Sequence, residues 1–416
     1  MSNTLKFGNG EWYGKEGTIL AYNDENNNYK PLPFTFDRDS VATRVNKQGL
    51  IETVGADQPR IDYLNDSNGA LLLEPSRTNL ITNSQGSVPI LVNVTQVTNN
   101  SISPDGSNNS TLITSNTTNA AHYFGFSNTS VTSGISYTGS VFVKKGTGRY
   151  FQLLYGSGGF STTKFINFDL EIGTIVYTGA NTSGNIEAIG KNGWYRLSIS
   201  ATADSTTTET MYCGIVTSGT SVRLKSHESI LTYSIYGAML EEGSYATSYI
   251  PTQGSAVTRL AETCNNSGNE QVINSTEGVL YAEMSGLAND GTNRRITISN
   301  GGVGYDVGFR FNNVSNQIQV VSYINSSVVV NESYVLPDIT VIKKYALKWG
   351  LNNYALWVNG VEVITDTSAV SFPIGTLNTL NFASATNTSN FYGNVKDIRV
   401  YNEALSDSEL AALTQV

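Results

Sequence analysis

From residue 135 to residue 243 the sequence repeats one pattern, an apolar run of strand length followed by a cluster of Gly, Asn, Ser or Thr. The runs are ISYTGSVFVKKG, YFQLLYG, TKFINFDLEIGTIVYTG, GWYRLSISATA, TMYCGIVTSG and ILTYSIYGAMLEEG. None holds a 3.6-residue apolar period long enough for a helix, and short strands at regular spacing with turn residues between them indicate a β-sandwich of the jelly-roll kind. The same texture resumes after a polar stretch, LAETCNNSGNEQVINSTEG, and continues nearly to the end. The expected fold is therefore all-β. It comprises an N-terminal extended arm (1–85), a jelly-roll sandwich (86–258), a linker (259–275), a second sandwich (276–416) and one short C-terminal helix.

Composition agrees and excludes several functions. Charged residues make up 14% of the 416, while Gly reaches 39 and Tyr 23, a balance that suits pleated surfaces and turns. A net charge of -9 argues against a nucleic-acid partner, because phosphate affinity rests on clustered Lys and Arg. The start, MSNTLKFGNGEWYG, has neither a basic cluster nor an apolar stretch, and no run approaches the roughly 20 apolar residues of a membrane span, so synthesis in a cytoplasm without membrane insertion is expected. Cys213 and Cys264 fall in different expected domains and form no C-x-x-C pair, which predicts one buried and one exposed thiol and no disulfide. Triplets such as the NVT at 93 mark Asn- and Thr-rich loops in that setting.

Three local elements can be read directly. Asn359-Gly360 in YALWVNGVEVITD supplies the two positive-φ residues of a type I′ hairpin. LSDSELAAL predicts a helix capped by Ser406, with Glu409 closing the capping box and Leu405 stapled to Leu410. Lys47-Gln48-Gly49 forms a turn between two short extended runs. The arm around that turn holds little core of its own. Its triple leucine, Leu71 to Leu73, is fenced by Gly69 and Pro75 and reads as a short strand buried on both faces.

Catalytic constellations are poorly supported. His122 and His227 are the only histidines and neither sits in a triad or metal-ligand spacing. Asp169 and Glu171 in FDLEIG are the candidate carboxylates of a glycosidase, although DLEIGTIV equally reads as a hairpin turning near Gly173. Sugar binding is better supplied, since aromatic rings stack on pyranose faces while amides bond hydroxyls. Tyr123 in AAHYFGFSN and Tyr155 in LLYGSGGF are the candidate glycan-binding residues. Trp194, Trp349 and Trp357 lie in strand patterns and read as core. Glu241 and Glu242 are candidate ligands of a structural calcium, with a turn of solvated charges as the alternative; no other cofactor is implied.

Three strings, FTFDRDSVATRVNKQGLIE, PRIDYLNDSNGALLLEPSRTNLITNS and GAMLEEGSYATSYIPTQGSAVTR, resemble a module widespread in fibre proteins of tailed bacteriophages and prophages, particularly of Bacteroides-like hosts. The second and third strings bracket a jelly roll similar to carbohydrate-binding modules. FYGNVKDIRVYNEALSDSELAAL is similar to the last strand and helix of laminin-G-like, concanavalin A-like sandwiches. The resemblance implies a non-enzymatic virion protein, a tail or head fibre made in the bacterial cytoplasm. It would be a homotrimer, bound to other virion proteins through its arm, that attaches to host-surface or mucus glycans. On this reading the triple-leucine strand inserts between the jelly roll and a neighbouring subunit, and EPSRTNL hands the chain to the jelly roll. Arg77 then ties that turn down through backbone carbonyls, or binds a ligand carboxylate. A cellular carbohydrate-binding protein and a capsule depolymerase are the alternatives.

Overall fold

The structure is a computed structural model that describes residues 4–23 and 28–416. Apart from one helix, Asp407–Thr414, its regular elements are β-strands, as the spacing predicts. The chain divides into two compact units, one built from residues 1–41, 54–75 and 260–416, the other from 42–53 and 76–259.

The expectation of a separate N-terminal arm packed against a neighbouring subunit is corrected. The arm's strands complete the C-terminal sandwich of their own chain. In a twelve-stranded sheet, Leu5–Gly8 pairs antiparallel with Gly393–Tyr401 on one side and Thr18–Asn23 on the other, and the sheet continues through Asn28–Asp37 to Thr263–Asn265. The triple leucine pairs with the other end of the same C-terminal strand, Leu71 against Val395 and Leu73 against Gly393. Leu71 and Leu73 enter the unit's core with Phe7, Phe34, Ile398 and Val400, and the intervening Leu72 is also buried. The surface that the apolar arm requires lies within the same unit.

The expected linker is likewise woven in. Cys264 pairs with Phe36 and is fully buried, and its carbonyl accepts from Phe382 N (3.0 Å). The exposed thiol predicted there is absent because residues 263–265 form a strand; both cysteines are free and buried, and burial pushes both thiols well up.

An ionic node fastens these segments. Glu262 receives Arg60 at 2.8 and 2.5 Å and Arg38 at 2.7 Å, and also accepts from Glu74 N (2.8 Å). Arg60 reaches Glu74 as well, at 2.9 Å. Arg38 donates further to the carbonyls of Ser40 (2.9 Å) and Gln58 (3.1 Å). All four charged side chains are buried, a condition tolerated only where charges are paired and their remaining donors satisfied.

Facing the twelve-stranded sheet is a five-stranded one in the order Ser327–Val335, Gln317–Ile324, Tyr305–Phe311, Arg294–Ser299, Thr379–Asn381. Its alternate residues Ile296, Ile298, Val307, Phe309, Phe311, Ile318 and Val320 fill the core against Leu280, Tyr345, Leu347 and Trp349. Asn359 (φ 49°) and Gly360 (φ 85°) form the predicted hairpin turn between Tyr354–Val358 and Val361–Asp366. Ser406 and Glu409 make the predicted capping box, and Leu405 and Leu410 are buried together against Val279 and Trp357.

The second unit is a sandwich of two six-stranded sheets. Phe124, Phe151, Leu153, Ile166, Phe168, Cys213 and Ile215 of one pack against Ile113, Val141, Leu197, Ile199 and Ile235 of the other. Trp194 is buried, as are Trp349 and Trp357 in the first unit. The ribbon of Arg77–Asn79 paired with Val257–Arg259 marks where the chain enters and leaves this sandwich. The Ala42–Val45 and Ile51–Val54 strands enclose the predicted turn, where Gly49 (φ 80°) meets Gly190 so closely that a Cβ on Gly49 would lie 2.9 Å from the Gly190 Cα.

Candidate functional site

Strand alternation that sends Ile296, Val307, Phe309 and Ile318 inward sends a polar set to the outer face of the five-stranded sheet. One cross-strand row reads Arg295, Arg310, Gln319, Ser333; the next reads Thr297, Gly308, Val321, Asn331; the third reads Ser299, Asp306, Tyr323. Gly308 places no side chain at the centre of this array.

Hydrogen bonds fix most of the set. Arg295 donates to Asp306 Oδ1 at 2.5 Å and lies with its guanidinium carbon 6.0 Å from the centre of the Tyr323 ring. Arg310 Nε donates to Gln319 Oε1 (2.7 Å), whose amide nitrogen donates to Asn331 Oδ1 (2.7 Å). Beneath this layer Thr297 Oγ1 and Arg295 Nε are buried with no partner among the described residues. Burial and then the neighbouring Arg295 charge bring the Arg310 pKa down from its ordinary value, while burial pushes the Asp306 carboxyl up despite Arg295. Among the described residues Arg295 alone bonds the carboxylate, and Arg310 acts on it only through its charge. The terminal nitrogens of Arg310 bond nothing among the described residues. Half-exposed Arg310, Gln319 and Tyr323 and exposed Asn331 line a surface with forked donors, an amide donor and acceptor, and one ring face. Sequence reasoning passed over this face, although the period-2 pattern in RRITIS and DVGFRF carries it.

The residues proposed from sequence are scattered. Tyr123 lies half-exposed on the outer face of a six-stranded sheet in the second unit, edge-on to Tyr212 at 5.5 Å. Tyr155 is a correction: it is 1% exposed, continuing the inward alternation of Phe151 and Leu153. Its hydroxyl accepts from Gly139 N (2.8 Å) and lies 2.8 Å from the Ile199 carbonyl, and its ring stacks on Phe160 at 4.2 Å, so no sugar reaches it. Glu241 and Glu242 do not form a calcium pair, because neighbouring strand positions face opposite sides. Glu241 is fully buried, accepts from Thr247 N (2.9 Å) and Oγ1 (2.7 Å), and has its carboxyl pushed up by burial. Glu242 lines a polar cavity of about 280 Å³ with Ser76, Arg77, Thr78 and Leu80. Among the described residues no group of three or more His, Cys, Asp or Glu is placed to hold a metal.

Arg77 donates to the Ser76 carbonyl (3.1 Å) and lies 3.6 Å from Glu241, which anchors the entry turn. Asp169 accepts a bidentate pair from Arg149 (2.7 and 2.9 Å), whereas Glu171 pairs with Lys145 in the turn before Gly173; separate cations hold the two carboxylates.

The family described as Concanavalin A-like lectin/glucanases superfamily (Laminin_G_3) matches residues 286–411, within the first unit. No curated protein matches the chain. Among solved structures it is similar to the CBM40 of the Ruminococcus gnavus IT-sialidase bound to α2,3 sialyllactose, with 18% identity over 34% of this chain and 83% of that one and a TM-score of 0.28. It is also similar to domain 4 of AbnA, a GH43 extracellular arabinanase from Geobacillus stearothermophilus, in complex with arabinotriose (14% identity, 41% and 82% covered, TM-score 0.32). A third is the LG4-5 pair of the mouse laminin α1 chain (9% identity, 78% and 94% covered, TM-score 0.23).

Proposed function

We propose that this chain is a non-enzymatic, fibre-type structural protein of a bacteriophage particle that attaches to host-surface or mucus glycans through its sandwiches. The observation that carries the glycan reading is the outer face of the five-stranded sheet. There Arg310, Gln319 and Asn331 present donors and acceptors for sugar hydroxyls beside the Tyr323 ring, and Arg310 keeps unspent donors. The superfamily matched by residues 286–411 includes lectins, which supports the same reading. The virion role rests on the three strings that resemble phage fibre modules. Threefold assembly rests on that resemblance alone, since the arm strands find their partners inside the chain. A single shallow polar site binds weakly; repetition on a trimer and over many fibres raises attachment by a factor on the order of 10² to 10⁴ without any new contact.

A glycan array probed with the full chain and with Arg310→Ala tests the site. Retention on one or more glycans that falls at least about tenfold in the variant supports it, and equal retention sinks it. Immunolabelling of particles from producing cells in the electron microscope tests the virion role. Label confined to the cytosol sinks that role, and release of oligosaccharide from capsule sinks the non-enzymatic assignment.

A further inference from the structure

The second unit holds an arginine that its surroundings leave unanswered. After Met211–Val216 the chain crosses the outer face of its own sheet in a long loop, and this loop is built in place by the sheet beneath it. Asn167 donates to the carbonyls of Gly219 (2.9 Å) and Ser221 (2.7 Å). Gln152 accepts from Leu224 N (2.9 Å) and donates to the Val222 carbonyl (3.4 Å), so both neighbours of Arg223 are fixed from below. Leu224 is held at φ 49°, a left-handed conformation that leucine rarely adopts and that persists only where the surroundings enforce it.

Arg223, between these pinned residues, has no ion pair or hydrogen bond among the described residues, and its NH1 is buried with no partner. Burial lowers the Arg223 pKa against the charge of neighbouring Glu209, and Tyr212 and Tyr123 stand close by as neutral phenols. Glu209 is otherwise engaged, accepting from Gly159 N (2.6 Å) and Thr210 N (2.9 Å). The tyrosines stand on the outer face in the cross-strand pairs Tyr123 with Gly214 and Tyr212 with Gly125, so each ring sits beside a position without a side chain. The Tyr212 ring lies over Gly125 and Leu224 over Gly214, which leaves no room for a Cβ at either glycine. A strained loop, a planar forked cation with an unanswered donor and two aromatic rings beside glycines make a site with one requirement still open, an acceptor for the guanidinium.

We propose that this face is a second saccharide site, and that it takes an acidic sugar whose carboxylate accepts from Arg223 while the pyranose ring lies against Tyr123 and Tyr212. A carboxylate matches the fork bidentately, and charge-assisted bonds of this kind are the strong ones. The proposal rests on the reading that the chain binds glycans, and it is independent of the Arg310 face, which belongs to the other unit.

The probes are methyl β-glucuronide and its neutral counterpart methyl β-glucoside, titrated calorimetrically into the full chain, into Arg223→Ala, Arg223→Lys and Arg310→Ala, with inorganic sulfate as a bare-anion control. The glucuronide is expected to bind wild type and Arg310→Ala alike, to lose at least about tenfold in affinity with Arg223→Ala, and to weaken with Arg223→Lys, which keeps the charge and loses the fork. Melting curves matching wild type confirm that the variants fold. Glucuronide affinity unchanged in both Arg223 variants, no glucuronide binding at all, or displacement by sulfate at equal concentration overturns the proposal. Loss of glucuronide in Arg310→Ala alone sinks this site and leaves the first standing. Loss in the Arg223 variants alone, with the glucoside indifferent to Arg310, does the reverse.

Discussion

Glu262 accepts four hydrogen bonds inside the first unit. Each of its oxygens serves more than one donor, and removing it takes the carboxylate partner from buried Arg38 and one of two carboxylates from buried Arg60. Glu262→Ala is expected to cost about 3–5 kcal/mol, the range for breaking a buried pair from one side, against about 0–1 kcal/mol for an exposed pair such as Lys145 with Glu171. Urea unfolding of the two alanine variants of these glutamates checks this, and similar midpoints would sink it. In the second unit His122 and His227 stack at 4.1 Å. His227 Nδ1 accepts from Ser229 N and its Nε2 donates to the Ile215 carbonyl, both at 3.1 Å, which fixes the neutral ring. Burial first, and then the charge on His122, lower the His227 pKa. The unfolded chain therefore takes up this proton more readily than the fold does. The stabilising contribution is complete above the unfolded pKa of about 6.5 and is lost as the pH falls below it. Melting temperatures at pH 7.5 and 5.5 should fall further for wild type than for His227→Gln, and equal falls would refute the assignment.

At the scale of elements, local signals were legible and distant ones were not. Asn359-Gly360 and the box of Ser406 with Glu409 declare themselves because the residues that define them are adjacent or one turn apart. The alternation that buries Phe151 and Leu153 also reaches Tyr155, so offering Tyr155 to a sugar overlooked its place in the strand Tyr150–Tyr155. Nothing near the triple leucine announces a partner more than 300 residues later, because antiparallel pairing leaves no mark in either sequence beyond an apolar run. The dependence is nonetheless testable. A fragment of residues 260–416 lacks Leu5–Gly8 and Ala70–Leu73, which strips one flank of Gly393–Tyr401 of its partners while Gly278–Gly286 still holds the other, and leaves the core open at Phe7, Leu71 and Leu73. It is expected to be aggregated or unfolded by circular dichroism and proton NMR, and to regain its fold when residues 1–75 are restored through a linker. A dispersed spectrum from the bare fragment would contradict this.

For the molecule as a whole, the consequence of pairing Leu5 with Val400 appears on the ribosome. Synthesis at about 5–20 residues per second separates the emergence of these two residues by on the order of 20 to 80 s. During that interval the second unit has its final strand, Val257–Arg259, already made and is free to close around its own core. The N-terminal strands meanwhile wait with unpaired edges, the condition that invites pairing with another nascent chain. Such a chain gains from a holding factor or from slow, well-spaced initiation, and its yield is expected to respond to translation rate and chaperone supply more than to any single substitution on its surface.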